Sequence, residues 1–220
     1  MDQSRKKRVA VLISGRGSNL AALIEATSAS DYPAEIVLVV SSNKTAAGLG
    51  AADDAGVETA VITVGRGDDR PKSEQALHER LEQAEVDIVC LAGYMHILSG
   101  GFVDRWRDRI INIHPSLLPA FKGLETHARA LEAGVRMHGA TVHVVRAEID
   151  DGPIIAQAAV RVGPNDSAAA LAARVLRAEH LLYPHALAII ASGGGRSGAQ
   201  AKLDDTTGDQ NGVLFSPPLV

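Results

Sequence analysis

Short apolar runs alternate with alanine-rich segments through the first half of the chain, and this alternation constrains the fold more than any other feature. The runs span residues 9–13, 36–40, 57–64, 86–92 and 110–113, and they consist largely of valine, isoleucine and leucine. Runs of this length and composition are typical of strands buried on both faces, and the segments between them are long enough for helices. Connections of this kind are right-handed crossovers. The sequence therefore predicts an α/β, Rossmann-like fold with a mostly parallel, twisted sheet.

The connections between strands change in the second half of the chain. Residues 140–145 and 154–162 are predicted to be two strands of a hairpin, joined by a turn that contains Gly152 and Pro153. A hairpin connection indicates an antiparallel extension of the sheet. A long helix is predicted over 168–190, where Pro184 should kink or divide it.

Composition and length limit the remaining possibilities. The 220 residues fit a single domain over 1–192 and a glycine-rich, polar tail over 193–220, loosely held, with a last apolar run at 213–215. A net charge of −4 gives no reason to expect a nucleic-acid partner. No apolar stretch approaches the roughly 18 residues that span a membrane, and no signal peptide is visible, so we expect a cytoplasmic protein. The eight histidines are scattered without metal-site spacing, so no metal is expected.

The segment 14–19, Ser-Gly-Arg-Gly-Ser-Asn, lies between the first predicted strand and the first predicted helix. A glycine-rich turn before a helix is a possible anion site, because backbone N–H groups and the helix dipole point towards the turn. The segment is neither a GxGxxG dinucleotide motif nor a Walker A loop, and it fits a single phosphate better than a pyrophosphate. The alternative is a plain turn with a serine cap.

Two polar side chains, Asn112 and His114, lie near the end of the fifth predicted strand. A spacing of two places both on the same face of a strand, and the ends of strands are where open α/β sheets place their chemistry. An imidazole and an amide donor suit acid–base or oxyanion chemistry, with a carboxylate to orient the ring. Asp150 and Asp151 are the best carboxylate candidates. The alternatives are a strand end with satisfied polar groups and a surface turn.

Seven segments together resemble one enzyme family in their residues, order and spacing. They are 14–19, 42–44, 92–99, 112–119, 138–143, 150–153 and 179–180. They resemble the phosphoribosylglycinamide formyltransferases, the folate-dependent GAR transformylases of purine biosynthesis. The resemblance covers about residues 8–190. The Asn-x-His-Pro-Ser-Leu-Leu-Pro motif at 112–119 is typical of the wider formyltransferase superfamily, and the Gly-Ser-Asn loop indicates this branch.

The resemblance implies a transferase that moves the formyl group of 10-formyltetrahydrofolate, a co-substrate, to the amine of glycinamide ribonucleotide without a metal. It implies that His114 stabilises the oxyanion and transfers protons, that Asn112 binds the formyl oxygen, and that Asp150 keeps His114 charged. It assigns the phosphate and ribose of the ribonucleotide to Gly17, Ser18, Asn19 and Glu179. It assigns the folate to Arg70, Met95, His96, Ile97, Leu98, Asn112, Arg146, Ala147, Glu148, Ile149 and Asp150.

Three residues depart from the pattern of that family. His96 stands where members often have arginine, Glu125 where some have histidine, and Asp151 where a common turn has glycine. We expect no more than a mild change in folate affinity. The alternative functions are a 10-formyltetrahydrofolate hydrolase, which usually carries an extra N-terminal domain, and a binding module without turnover. The sequence leaves open whether the protein is a monomer or a homodimer.

Overall fold

The structure is a computed structural model that describes residues 5–64, 69–193, 207–208 and 213–219. It divides after Ile111 into two compact units. The elements of the first unit are β1 (Lys7–Ile13), α1 (Ser18–Thr27), β2 (Ala34–Ser41), α2 (Ala47–Asp54), β3 (Thr59–Val61), α3 (Arg70–Gln83), β4 (Ile88–Leu91) and α4 (Gly100–Arg105). Strand β5 (Ile110–His114) runs through the division. The later elements are α5 (Thr126–Glu132), β6 (Met137–Val144), β7 (Ile154–Arg161), α6 (Ala168–Ala191), β8 (Thr207–Gly208) and β9 (Leu214–Ser216).

The strands of the first unit form a parallel arrangement in the order β3-β2-β1-β4. Val9 of β1 lies opposite Ile36 of β2 on one side and Ile88 of β4 on the other. The last five residues of β1 are fully buried, which explains why this strand reads as an unbroken apolar run. Parallel strands end at the same edge, so the loops that follow β1, β2 and β4 share one edge of this unit.

The strands of the second unit are antiparallel from β6 onward. The end of β5 is followed by β6, β7, β9 and β8 in that order. Val142 of β6 lies opposite Ala156 of β7, and α6 packs against both strands. The prediction of an α/β fold, parallel at first and with an antiparallel extension in the second half, is confirmed. That residues 1–192 form one domain stays a prediction.

Helix α6 continues through Pro184 from Ala168 to Ala191. The sequence predicts a kink or a division at this proline, and a division does not occur. The residues on its buried face include Leu171, Val175 and Leu182, which are fully buried. Burial of such side chains stabilises a helix by several kcal/mol in total, which exceeds the roughly 3 kcal/mol that an interior proline costs.

The apolar run near the C-terminus forms strand β9. Phe215 is 1% exposed and lies opposite Ala158 of β7. The prediction of a loosely held tail is therefore wrong for this segment, because burying Phe215 and Val213 gives the chain an apolar anchor. Residues 194–206, 209–212 and 220 of the predicted tail lie outside the described residues.

Candidate active site

Strand β5 carries Asn112 and His114 at the start of the second unit. Their neighbours Ile111 and Ile113 are buried, and His114 itself is 5% exposed. The alternation of a strand places the two polar side chains on the face opposite the isoleucines. The strand therefore presents an amide and an imidazole side by side, as its sequence predicts.

Asp150 lies beside His114 in the turn that follows β6. Its Oδ2 is 3.3 Å from His114 Nδ1 and accepts a hydrogen bond of 2.8 Å from the backbone N–H of Gly123. The Asp150 side chain is 10% exposed. A carboxylate held in this way orients the imidazole through its Nδ1. The structure thus brings together the three residues that the sequence analysis assigns to catalysis.

The second nitrogen of the His114 ring also faces an oxygen. His114 Nε2 is 3.0 Å from the backbone carbonyl of Phe121. An imidazolium donates through both nitrogens, whereas a neutral ring has a single N–H. Asp150 and the Phe121 carbonyl therefore place one acceptor beside each nitrogen of the ring.

His143 of β6 completes this group, although the sequence analysis assigns it no role. Its Nε2 is 3.2 Å from Asn112 Nδ2 and 3.7 Å from Asp150 Oδ1, and its Nδ1 is 3.1 Å from the carbonyl of Val144. Burial lowers the pKa of His143, opposed by the Val144 carbonyl and Asp150 and assisted by the neighbouring His114. In the neutral ring Nδ1 donates to the carbonyl, so Nε2 is left to accept from the Asn112 amide.

That hydrogen bond sets the orientation of the Asn112 amide. With Nδ2 directed at His143, the second N–H of the amide and its oxygen remain for a ligand. Thr141 and His143 have the spacing of two that places side chains on one face of a regular strand, but the pairing of β6 with β7 is irregular between Val142 and His143. The spacing alone did not indicate that His143 on β6 contacts Asn112 on β5.

Thr141 holds the loop that follows β5. Its hydroxyl accepts from the N–H of Leu118 at 3.0 Å and donates to the carbonyl of Ser116 at 2.7 Å. The amide of Gln157 donates to the carbonyl of Leu118, also at 3.0 Å. These three bonds, of which the two made by Thr141 are buried, hold the backbone of 116–118, which continues directly from His114. Sequence analysis missed both supporting side chains.

The glycine-rich loop after β1 is packed tightly against the first turn of α2. Gly17 has a φ of 76°, and a β-carbon there would lie 2.7 Å from the Cα of Gly48. The backbone N–H of Gly48 donates to the carbonyl of Gly15 at 3.1 Å. Only glycine combines the left-handed conformation with this close approach. The loop shape predicted for an anion site therefore depends on Gly48, which the sequence analysis did not single out.

Helix α1 begins at Ser18, directly after Gly17. The N–H groups of the first turn of a helix have no acceptor within the helix, and the dipole adds positive potential there. Ser18 is partly exposed and Asn19 is buried. The geometry is consistent with the predicted anion site, and the assignment of the phosphate to 17–19 stays a prediction.

The loop 95–98, after β4, is held by α3. Arg70 donates through Nη2 to the carbonyl of Ile97 at 2.5 Å, and Glu74 accepts from the N–H of Ser99 at 2.8 Å. The N–H of Met95 donates to Ser14 Oγ at 2.9 Å. The side chains of Met95 and Ile97 are 68% and 62% exposed. Such exposure is unusual for large apolar side chains on a loop whose backbone is hydrogen-bonded in place. Arg70 supports this loop in the described structure, and its assignment to the folate is untested.

The other predicted binding residues lie at the surface or on α6. His96 contacts the ring of Tyr94, and burial together with Glu74 raises the pKa of Tyr94 to about 12. Glu179 of α6 is 7% exposed. The remaining residues are largely exposed in the loop that ends at Asp150, and they are Arg146, Ala147, Glu148 and Ile149. Among the described residues no group of three or more His, Cys, Asp or Glu is arranged to hold a metal ion.

Proteins of one family are similar to this chain in both sequence and structure. The formyl transferase family matches residues 7–187. Phosphoribosylglycinamide formyltransferase of Haemophilus influenzae is 43% identical over 178 residues, which are 81% of this chain and 84% of that protein. The crystal structure of phosphoribosylglycinamide formyltransferase from Brucella melitensis is 51% identical with a TM-score of 0.82, covering 86% of this chain and 97% of that one.

A longer relative also matches. Trifunctional purine biosynthetic protein adenosine-3 of Bos taurus is 47% identical over 207 residues, which are 94% of this chain. The same residues are 20% of that protein, so this chain spans a fifth of the longer relative's length.

Proposed function

Because this chain belongs to the formyl transferase family, we propose that it transfers the formyl group of 10-formyltetrahydrofolate to the amine of glycinamide ribonucleotide. The products are formylglycinamide ribonucleotide and tetrahydrofolate, as in de novo purine biosynthesis. The observation that carries the proposal is that Asn112 and His114 share strand β5, with the Asp150 carboxylate 3.3 Å from the His114 ring.

The amine attacks the formyl carbon, a new C–N bond forms, and the carbonyl oxygen of the tetrahedral intermediate becomes negatively charged. The charged ring of His114 stabilises that oxygen through Nε2–H, where the oxyanion replaces the Phe121 carbonyl as acceptor while Asp150 accepts from Nδ1–H, and His114 gives up a proton during breakdown. Asn112 donates to the same oxygen, because His143 directs its amide. The bond to the folate nitrogen then breaks, the attacking amine loses a proton, and the folate nitrogen gains one. Much of the rate comes from holding two substrates together.

Binding roles follow from the loops described above. Gly17, Ser18 and Asn19 bind the phosphate of the ribonucleotide at the start of α1, and Glu179 contributes to binding the nucleotide from α6. The backbone of the loop 95–98 offers hydrogen-bonding groups beside exposed apolar side chains, which suits a flat, polar-edged pterin. Its proposed folate contacts are Arg70, Met95, His96, Ile97 and Leu98. The loop 146–150 supplies the others, which are Arg146, Ala147, Glu148, Ile149 and Asp150.

The cellular location, the partners and the oligomeric state of the protein remain predictions. Among the described residues no helix is long and apolar enough to cross a bilayer. We propose a cytoplasmic enzyme with small-molecule substrates, without nucleic acid, acting as a monomer or a homodimer.

A folate absorbance assay on metal-stripped protein tests the proposal. The protein is mixed with 10-formyltetrahydrofolate, with and without glycinamide ribonucleotide. Deformylation that requires the ribonucleotide is the expected result. Formate release without ribonucleotide identifies a hydrolase instead, and tight binding without turnover identifies a binding module.

A further inference from the structure

The segment 121–123 contacts both members of the catalytic pair. The Phe121 carbonyl lies 3.0 Å from His114 Nε2, and the N–H of Gly123 donates to Asp150 Oδ2 at 2.8 Å. One short stretch of backbone therefore binds the imidazole on one side and the carboxylate on the other. Its position decides how the two groups face each other.

Two residues in these contacts have a strained backbone. Phe121 has a φ of 54° and Asp150 has a φ of 53°, both in the left-handed region that residues other than glycine rarely adopt. Such conformations persist where surrounding contacts hold them. From one side Arg129 supplies such contacts, since its Nη1 donates to the carbonyl of Lys122 at 2.6 Å and to that of Leu124 at 3.2 Å.

From the other side the segment is held by an ion pair between Lys122 and Asp151. Lys122 Nζ donates to Asp151 Oδ1, and the side chains are 38% and 56% exposed. Each partner lies next to a residue with the strained conformation, Lys122 after Phe121 and Asp151 after Asp150.

We propose that Lys122 and Asp151 are positioning residues, and that their ion pair holds the segment 121–123 against His114 and Asp150. Neither side chain contacts the proposed reacting atoms. Both act through the backbone groups of Phe121 and Gly123. The proposal rests on the function proposed above for its kinetic consequence, whereas its structural consequence is independent of that function.

Hydrogen exchange at the Gly123 amide tests the structural part. Lys122→Met and Asp151→Asn should each speed exchange roughly two- to fivefold, the range expected for one exposed ion pair. The double variant should exchange no faster than either single variant, because both remove the same interaction. At about 1 M salt the wild-type rate should approach that of the variants, since screening weakens exposed pairs.

Steady-state kinetics test the positioning role. Each single variant should lower kcat roughly two- to fivefold with the KM for the ribonucleotide unchanged. Arg107→Met is the matched control, because it removes an exposed ion pair with Asp104 outside the proposed site. It should change neither readout.

Unchanged exchange at Gly123, or additive effects in the double variant, would overturn the proposal. Faster exchange in the variants without any change in kcat would overturn the positioning role. If the wild-type protein lacks formyl transfer altogether, the proposed function fails, and the exchange measurements still decide whether the pair holds the segment.

Discussion

Gly152 offers a steric test of the turn that carries Asp150. A β-carbon at this position would lie 1.6 Å from the carbonyl oxygen of Val144, far inside the roughly 3.5 Å at which such atoms pack. Its φ is not in the left-handed region, so space and not conformation requires glycine here. Gly152→Ala must therefore separate the turn from β6 by roughly 1.5–2 Å.

The displacement has a cost in stability. The N–H of Val144 donates to the carbonyl of Pro153 at 2.8 Å, next to the site of the clash, and this bond is lost at about 1 kcal/mol. Overpacking adds roughly 1–3 kcal/mol. For a chain of this length, we expect Tm to fall by roughly 5–12 °C.

The displacement also moves the Asp150 carboxylate away from His114. At 3.3 Å and an effective dielectric of about 20 the attraction is about 5 kcal/mol, and at roughly 5 Å it is about 3 kcal/mol. A loss of about 2 kcal/mol corresponds to roughly 30-fold. We expect kcat for ribonucleotide-dependent deformylation to fall between tenfold and a hundredfold.

Calorimetry and the folate assay measure the two effects. Gly50→Ala is the control, because a β-carbon there meets no atom within 4 Å and alanine favours the helix by up to about 1 kcal/mol. It should keep kcat and keep or raise Tm. A Gly152→Ala protein with the wild-type Tm would refute the steric argument. A lowered Tm with wild-type kcat would refute the link between this turn and catalysis.

Other changes have equally definite outcomes. His114→Ala should lower kcat by about two orders of magnitude or more, as loss of an oxyanion donor does, and near-wild-type turnover in a folded variant would remove it from the mechanism. His143→Ala should lower kcat roughly 3- to 10-fold, since the amide that it orients loses one hydrogen bond; unchanged kcat would contradict that role. Ser18→Ala combined with Asn19→Ala should raise the KM for the ribonucleotide more than for the folate, whereas equal effects would contradict phosphate binding. A hydrogen-bonded arginine lowers the pKa of Asp166 to about 2, so its stabilising contribution is present above pH 3.8 and is lost as the pH falls towards 2. The urea midpoints of Asp166→Asn and wild type should therefore converge over that range, and a constant difference would show that ionisation is not the cause.

Local sequence patterns were sufficient to predict much of the fold and part of the candidate active site. Apolar runs of strand length and the spacing of Asn112 and His114 depend on residues close in the sequence, and the period of a strand converts that spacing into a shared face. The glycine-rich turn before α1 is likewise a local signal. The carboxylate of Asp150 could also be predicted, because an acidic pair beside a Gly-Pro turn is visible in the sequence.

Only the tertiary structure decided which distant groups complete these features. His143 contacts Asn112, Thr141 contacts Leu118 and Gly48 contacts Gly17. The residues of each pair are at least 23 positions apart, so no periodicity marks these contacts. The course of α6 through Pro184 and the docking of Phe215 on β7 depend on buried contacts that outweigh local preference. The sequence by itself determined the strands and the types of side chain at their ends. Packing determined how the amide of Asn112 points, because a hydrogen bond to a ring on another strand is a property of the folded chain alone.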